Sequence, residues 1–217
     1  MTEIYFVRHG QASFGAEDYD RLSPLGHQQA AWLGHYFRDH ELDFDHVIQG
    51  SLRRHRETAA GIAAVFNMPA AETDPRFDEL HYNPLEAAYI RATGIDAPSD
   101  RAAFLTHFPP MFSAWAAGEI APEAESYAAF EARVQRALDA CLSPSRRVLV
   151  ITSGGVIGVA LRGVLGLSAR ATADLLINIH NASVHRLVSE AGQLRLSLFN
   201  ASPHLDGRTR AHARTFI

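Results

Sequence analysis

Apolar positions along the chain fall into two alternating rhythms. Short unbroken runs, IYFV at 4–7, HVIQ at 46–49 and VLVIT at 148–152, have the make-up of strands covered on both faces. Stretches with helical spacing lie between them. Ser23 and Pro24 predict a helix start, and Leu25, Trp32, Leu33, Tyr36 and Phe37 predict its apolar face. Ser51 is expected to cap a second helix, with Ala59, Ile62, Ala63 and Phe66 inward and Asn67 and Pro69 ending it. A further helix is expected near 126–141 and another from Gly154. SVHRLVS and QLRLSLF read as a closing antiparallel pair that turns around 190–192. This order predicts a single α/β domain over 1–217, a three-layer sandwich with a mostly parallel central sheet flanked by helices.

Residues 83–122 break the order. Pro84, Gly94, Pro98, Pro109, Pro110, Gly118 and Pro122 divide them into short helical pieces such as LEAAYIRAT and RAAFLTHF. A small helical lid inserted over the strand ends is expected, with a plain packing insertion as the alternative.

Composition narrows the class. Twenty basic against twenty-four acidic residues give a formal charge of −4, which argues against a nucleic-acid partner. No uncharged apolar stretch approaches membrane-spanning length, and MTEIYFVRHG lacks a signal-peptide pattern, so a cytoplasmic location is expected. Cys141, the sole cysteine, excludes a disulfide within the chain, and its spacing with Val134 and Leu138 reads as a core thiol. The twelve histidines form no compact zinc pattern, and neither a metal nor another cofactor is expected.

Ligands of open α/β sheets bind beyond the carboxyl ends of the strands. Three segments leave such ends here: VRHGQ, GSLRRHRETA and TSGG. The first brings together Arg8, whose planar fork suits phosphate oxygens, His9, an imidazole able to act as nucleophile, and Gly10, which allows a close turn. In the second, Arg53, Arg54 and Arg56 point in different directions from one helix, so one of them is expected to reach a common site. The third, with Ser153 ahead of two glycines, has the form of a helix N-terminus that can hold an anion. Ile151 stands where a G-x-S-x-G elbow needs glycine, which weighs against a serine hydrolase.

Taken together, VRHG at 7–10, LSPLGHQQA at 22–30, SLRRHRETA at 51–59, FDELHY at 77–82, VITSGG at 150–155 and NASVHRL at 181–187 resemble the histidine phosphatase superfamily, which includes the cofactor-dependent phosphoglycerate mutases. The resemblance implies a phosphoglycerate mutase-like fold and a phosphatase acting on a small phosphate monoester. It makes His9 the phosphoryl acceptor, Arg8 and Arg54 the clamp on its oxygens, and Glu79 the general acid and base. Gly10, Gln11, Ser153 and Gly154 are the expected substrate-binding residues. Mutase-type transfer, or a phosphate-binding protein with little turnover, are the alternatives. The expected partners are a phosphorylated small molecule and a second copy of the chain in a homodimer.

Two departures from the family pattern matter. Ser153 stands where the family has a second histidine, which a serine replaces as donor but not as charge. His81, His180 and His185 are the candidates to compensate, with His180 favoured by its place before the late strand. In the first loop, SFGAED replaces a segment in which the family often carries an asparagine.

Overall fold

The computed structural model describes residues 1–13, 20–142 and 146–216, so that most of the SFGAED loop lies outside the described residues. Strand β1 (Thr2–Arg8) sits inside a six-stranded sheet, parallel to β4 (Arg147–Thr152) and antiparallel to β5 (Val184–Glu190). Beyond β4 lie β2 (His46–Gln49) and the two-residue β3 (Glu72–Thr73), both parallel; beyond β5, β6 (Gln193–Ala201) closes the antiparallel edge. The sheet order is β3-β2-β4-β1-β5-β6.

Alternation along these strands divides the core in two. Tyr5, Val7, Val47, Leu149 and Ile151 face α1 (Pro24–Asp39) and α2 (Arg53–Ala63), where Ala30, Leu33, Phe37, Ala59 and Ile62 meet them. Ile4, Phe6, Ile48, Val148 and Val150 belong to the larger cluster on the other face. That cluster is completed by α3 (Tyr82–Thr93), α4 (Arg101–Ala116), α5 (Tyr127–Cys141), α6 (Gly154–Leu165) and α7 (Ala169–Leu176). Ser23 caps α1 as expected, its side chain accepting the Gly26 N–H, with Pro24 in the first turn. Leu25, Trp32 and Tyr36 are only half-buried, and Gln29 and Ala30 take more of the inner face than the apolar pattern suggests. Ala63 is exposed at the end of α2.

Two expectations are corrected. Ser51 does not cap α2: the cap position is Leu52, and the Ser51 hydroxyl instead donates to Asp78 Oδ2 at 2.5 Å. Nor do Pro109 and Pro110 break the 83–122 segment, because α4 runs through both; the break falls between Thr93 and Arg101, where Gly94 and Pro98 lie. Pro109 and Pro110 remove the N–H groups that would reach the carbonyls of Leu105 and Thr106. Burial holds the helix together across the gap. Phe112 and Trp115 pack edge-on against Tyr127, with ring centroids 5.6 and 5.2 Å away, and Phe108 and Met111 are buried beside them. Capped by Ser168, α7 has no counterpart among the sequence expectations. Cys141 is buried in the core, and burial pushes its thiol pKa up to about 12.

If α4 holds through packing, then Phe112→Ala should destabilise the protein by about 3–5 kcal/mol, read as a lowered urea midpoint with an unchanged slope. A loss below about 1 kcal/mol would show that the insert contributes little to the core.

Candidate functional site

The register of the parallel strands builds the site. Arg8 pairs with Thr152 and Gln49 with Ile151, so the residues that follow these strands emerge side by side at one sheet edge. His9 N–H donates to Thr152 O at 2.8 Å, and Gly50 N–H to Ile151 O at 3.1 Å. His9, Ser153 and Gly50 are thus neighbours because the ladder ends in step.

His9 is buried, and its Nδ1 lies 2.7 Å from Gly10 O. A carbonyl only accepts, so Nδ1 carries the proton and the neutral ring keeps its lone pair on Nε2. Burial holds the His9 pKa well below its ordinary value, and the charges of Arg54 and Arg8 and the His55 ring add to the effect. Gly10 N–H in turn donates to Thr58 Oγ1 at 3.0 Å, which fixes the turn to α2. A Cβ on Gly10 would lie 2.4 Å from Gly26 O, so only glycine lets this loop pass α1.

Residues near the far end of the chain brace the same loop. Ala182 N–H and Asn181 Nδ2 donate to His9 O at 3.2 and 3.3 Å, and Asn181 Oδ1 accepts from Thr215 Oγ1 at 3.0 Å. Gln29 links the two sides, accepting the Gln11 N–H while donating to Ala213 O and Thr215 Oγ1. Gln11 Oε1 accepts from Ser23 Oγ at 2.8 Å, tying the loop to the α1 cap.

Of the three arginines on α2, Arg54 alone is buried, while Arg53 and Arg56 are exposed. Arg54 Nη1 donates to Asp20 Oδ1 at 2.7 Å, and Arg53 pairs with Glu57 at 2.7 Å. The buried Arg8 guanidinium donates to Ile179 O and lies against the first turn of α6, within 4 Å of where a Gly154 side chain would begin. Glu79 reaches that turn from the other side: Oε2 accepts the Gly155 N–H at 3.2 Å, and Oε1 its neighbour Leu80 N–H at 3.0 Å. A Cβ on Gly155 would meet Glu79 Oε1 at 2.1 Å, so this glycine makes room for the carboxylate. His9, Arg8, Arg54, Glu79, Gly10, Ser153 and Gly154 thus gather at one end of the sheet.

Ser153 is fully buried at the N-cap position of α6 but makes no capping bond. Its Oγ lies 2.7 Å from His55 Nε2 instead. The ring that meets Ser153 is therefore none of the three histidines expected to compensate. His81 is exposed at the start of α3. His185 is a strand histidine held by Ser183 Oγ and the Asn200 N–H, and burial beside Arg8 pushes its pKa down to about 3. His180 is half-buried, edge-on to Phe216 at 4.9 Å, with its pKa lowered by burial and by Arg214 and Arg8. A sequence signal for His55 did exist: it shares i, i+4, i+7 spacing with Ala59 and Ile62, the buried face of α2. Among the described residues, no cluster of three or more His, Cys, Asp or Glu could hold a metal ion. No helix among them is long and apolar enough to cross a membrane.

Comparison with known proteins gives the family and the fold. A family model for the histidine phosphatase superfamily (branch 1) matches residues 4–202. The chain is 32% identical over 195 residues to a probable phosphoglycerate mutase of Erwinia tasmaniensis, covering 86% of this chain and 85% of that one. Among solved structures, a phosphoserine phosphatase from Entamoeba histolytica in complex with 3-phosphoglyceric acid superposes with a TM-score of 0.68 at 19% identity, over 94% of this chain and 100% of that one. A mycobacterial glucosyl-3-phosphoglycerate phosphatase gives 0.63 at 21% identity, over 92% and 98%. At such identities the structures establish the fold alone.

The buried histidines make a pH dependence calculable. His9, His55, His185 and His204 have pKa values lowered mainly by burial, to about 3 for the last two. The unfolded chain, titrating near 6.5, binds more protons than the folded one as pH falls. Stability is thus complete above about pH 6.5 and declines below it, by up to about 1.4 kcal/mol per pH unit for each such histidine. Urea unfolding at pH 7.5, 6.0 and 5.0 should show a falling midpoint; a flat profile would mean that these rings are protonated in the folded state.

Proposed function

Because the chain belongs to the histidine phosphatase superfamily, we propose that it hydrolyses a small phosphate monoester through a phosphohistidine on His9. The observation that carries the reading is the Nδ1 bond from His9 to Gly10 O, which leaves Nε2 as an unprotonated, buried nucleophile beside Arg8 and Arg54. Nε2 attacks phosphorus while the ester P–O bond breaks, and the leaving oxygen takes a proton from the Glu79 carboxyl. Glu79, now a carboxylate, accepts a proton from water; the hydroxide formed attacks phosphorus, the P–N bond breaks, and inorganic phosphate and neutral His9 are restored. Arg8 and Arg54 stabilise charge on the nonbridging oxygens, the main requirement of phosphoryl transfer. In this role phosphate competes with Asp20 for the Arg54 guanidinium.

Support for a cover over the pocket comes from α4, whose Arg101 guanidinium stacks on Phe216 at 4.4 Å, the ring that abuts His180. A cytoplasmic setting belongs to the same proposal, in keeping with the single buried Cys141. The Erwinia relative's description as a probable phosphoglycerate mutase favours a second reading, transfer of the phosphoryl group to another acceptor.

Hydrolysis of an aryl phosphate should vanish in His9→Ala and fall about a hundredfold in kcat/KM for Arg54→Ala. Wild-type protein quenched during turnover should carry acid-labile phosphate, absent in the His9 variant. With 3-phosphoglycerate as probe, inorganic phosphate as product supports hydrolysis, and an isomeric phosphoglycerate supports transfer. Equal background rates in wild type and His9→Ala would refute both.

A further inference from the structure

His55 is fully buried, centred 5.8 Å from the His9 ring, with Nε2 2.7 Å from Ser153 Oγ. Its other nitrogen has no hydrogen-bond partner among the described residues, and the group it faces is Asp78, whose Oδ1 lies 3.8 Å away. Asp78 is itself fixed, since Ser51 donates to it through both N–H and hydroxyl at 2.5 Å. The backbone is shaped around this ring. A Cβ on Gly50 would lie 2.2 Å from His55 Nδ1 and 2.7 Å from Asp78 Oδ1, so a side chain there would displace one or the other. An imidazole enclosed in this way, with one nitrogen on a hydroxyl and the other facing a carboxylate 3.8 Å away, is built to take up a proton through the hydroxyl.

We propose that Ser153 contacts the transferring phosphoryl group and that His55, aligned by Asp78, is its positioning residue, so that the pair acts as a second histidine delivered through a hydroxyl. The inference rests on the phosphatase reading and deepens it. In the free protein, burial and the charges of Arg54 and Arg56 keep the ring neutral, with its proton on Nδ1 toward Asp78 and Ser153 O–H donating to Nε2. A bound phosphate monoanion brings the missing proton. Its P–O–H proton passes to Ser153 Oγ as the Oγ proton passes to Nε2. The result is a dianionic phosphoryl group that accepts a hydrogen bond from Ser153, backed by an imidazolium whose Nδ1–H faces Asp78. A hydroxyl alone would supply a neutral donor; this relay supplies a charge-assisted one.

The test is a double-mutant cycle on aryl phosphate hydrolysis, with His9→Ala as the control for the phosphatase reading itself. His55→Ala and Ser153→Ala should each lower kcat about ten- to a hundredfold with little change in KM. The double variant should be no worse than the weaker single. Adding Ser153→His to the His55→Ala background should recover at least about tenfold, a rescue that mere structural support would not give. If His55→Ala does not fold, His55→Gln takes its place, since it fills the volume without accepting a proton. Additive losses, an unaffected His55 variant, or acid-stable phosphate on Ser153 would overturn the proposal. Should wild type and His9→Ala share one background rate, the phosphatase reading fails, and calorimetry with inorganic phosphate then decides the pair. About tenfold weaker binding in both single variants supports it; equal affinities, or no binding by wild type, overturn it.

Discussion

Everything at the site depends on two parallel strands ending in step. The pairing of Arg8 with Thr152 carries His9 and Ser153 out of the sheet as neighbours, and the His9 N–H to Thr152 O bond extends the ladder by one rung. A one-residue slip would send His9 to the opposite face, away from α2. The register is protected by what lies beneath it: Ile4 and Phe6 on one face and Tyr5 and Val7 on the other are all in the core. The hydrophobic interior thus sets the position of the polar cluster at the strand ends.

Around that ladder, burial and hydrogen bonding pull in complementary directions. Burial strips water from His9 and His55 and keeps them neutral, while two arginines remain charged at the same place. Asp20 answers Arg54, and Glu79 and Asp78 bring carboxylates to the same end of the sheet. The backbone contributes equally. Gly10, Gly50 and Gly155 are the points where a side chain would strike Gly26 O, the His55 ring and Glu79 respectively. At these three points the lack of a side chain makes room for the groups of the site.

Much of this was legible from the residues alone. Continuous apolar runs marked β1, β2 and β4 because doubly covered strands need no alternation, and Ser23-Pro24 marked the start of α1 to the residue. The run of α4 through Pro109 and Pro110 is not legible locally, because its continuation depends on packing against Tyr127, remote in sequence. The role of Ser51 is hidden for a similar reason: its hydroxyl goes to Asp78 and not to the adjacent helix, and only the fold brings the two together. Gathering the expected site residues at one sheet edge followed from strand order, whereas the partner of Ser153 did not. His55 was masked by the arginines on either side, which made a buried position look like part of a charged run.

The brace on the His9 loop has a consequence for how the protein comes into being. His9 is made 172 residues before Asn181, yet its carbonyl is held by Asn181 and Ala182, and Asn181 in turn by Thr215. During synthesis the His9 loop waits for residues 181–215, and a product cut short of them holds the imidazole in an unfinished turn. The setting of His9 is in this way tied to a segment made much later, so that products lacking that segment carry the residue without its geometry.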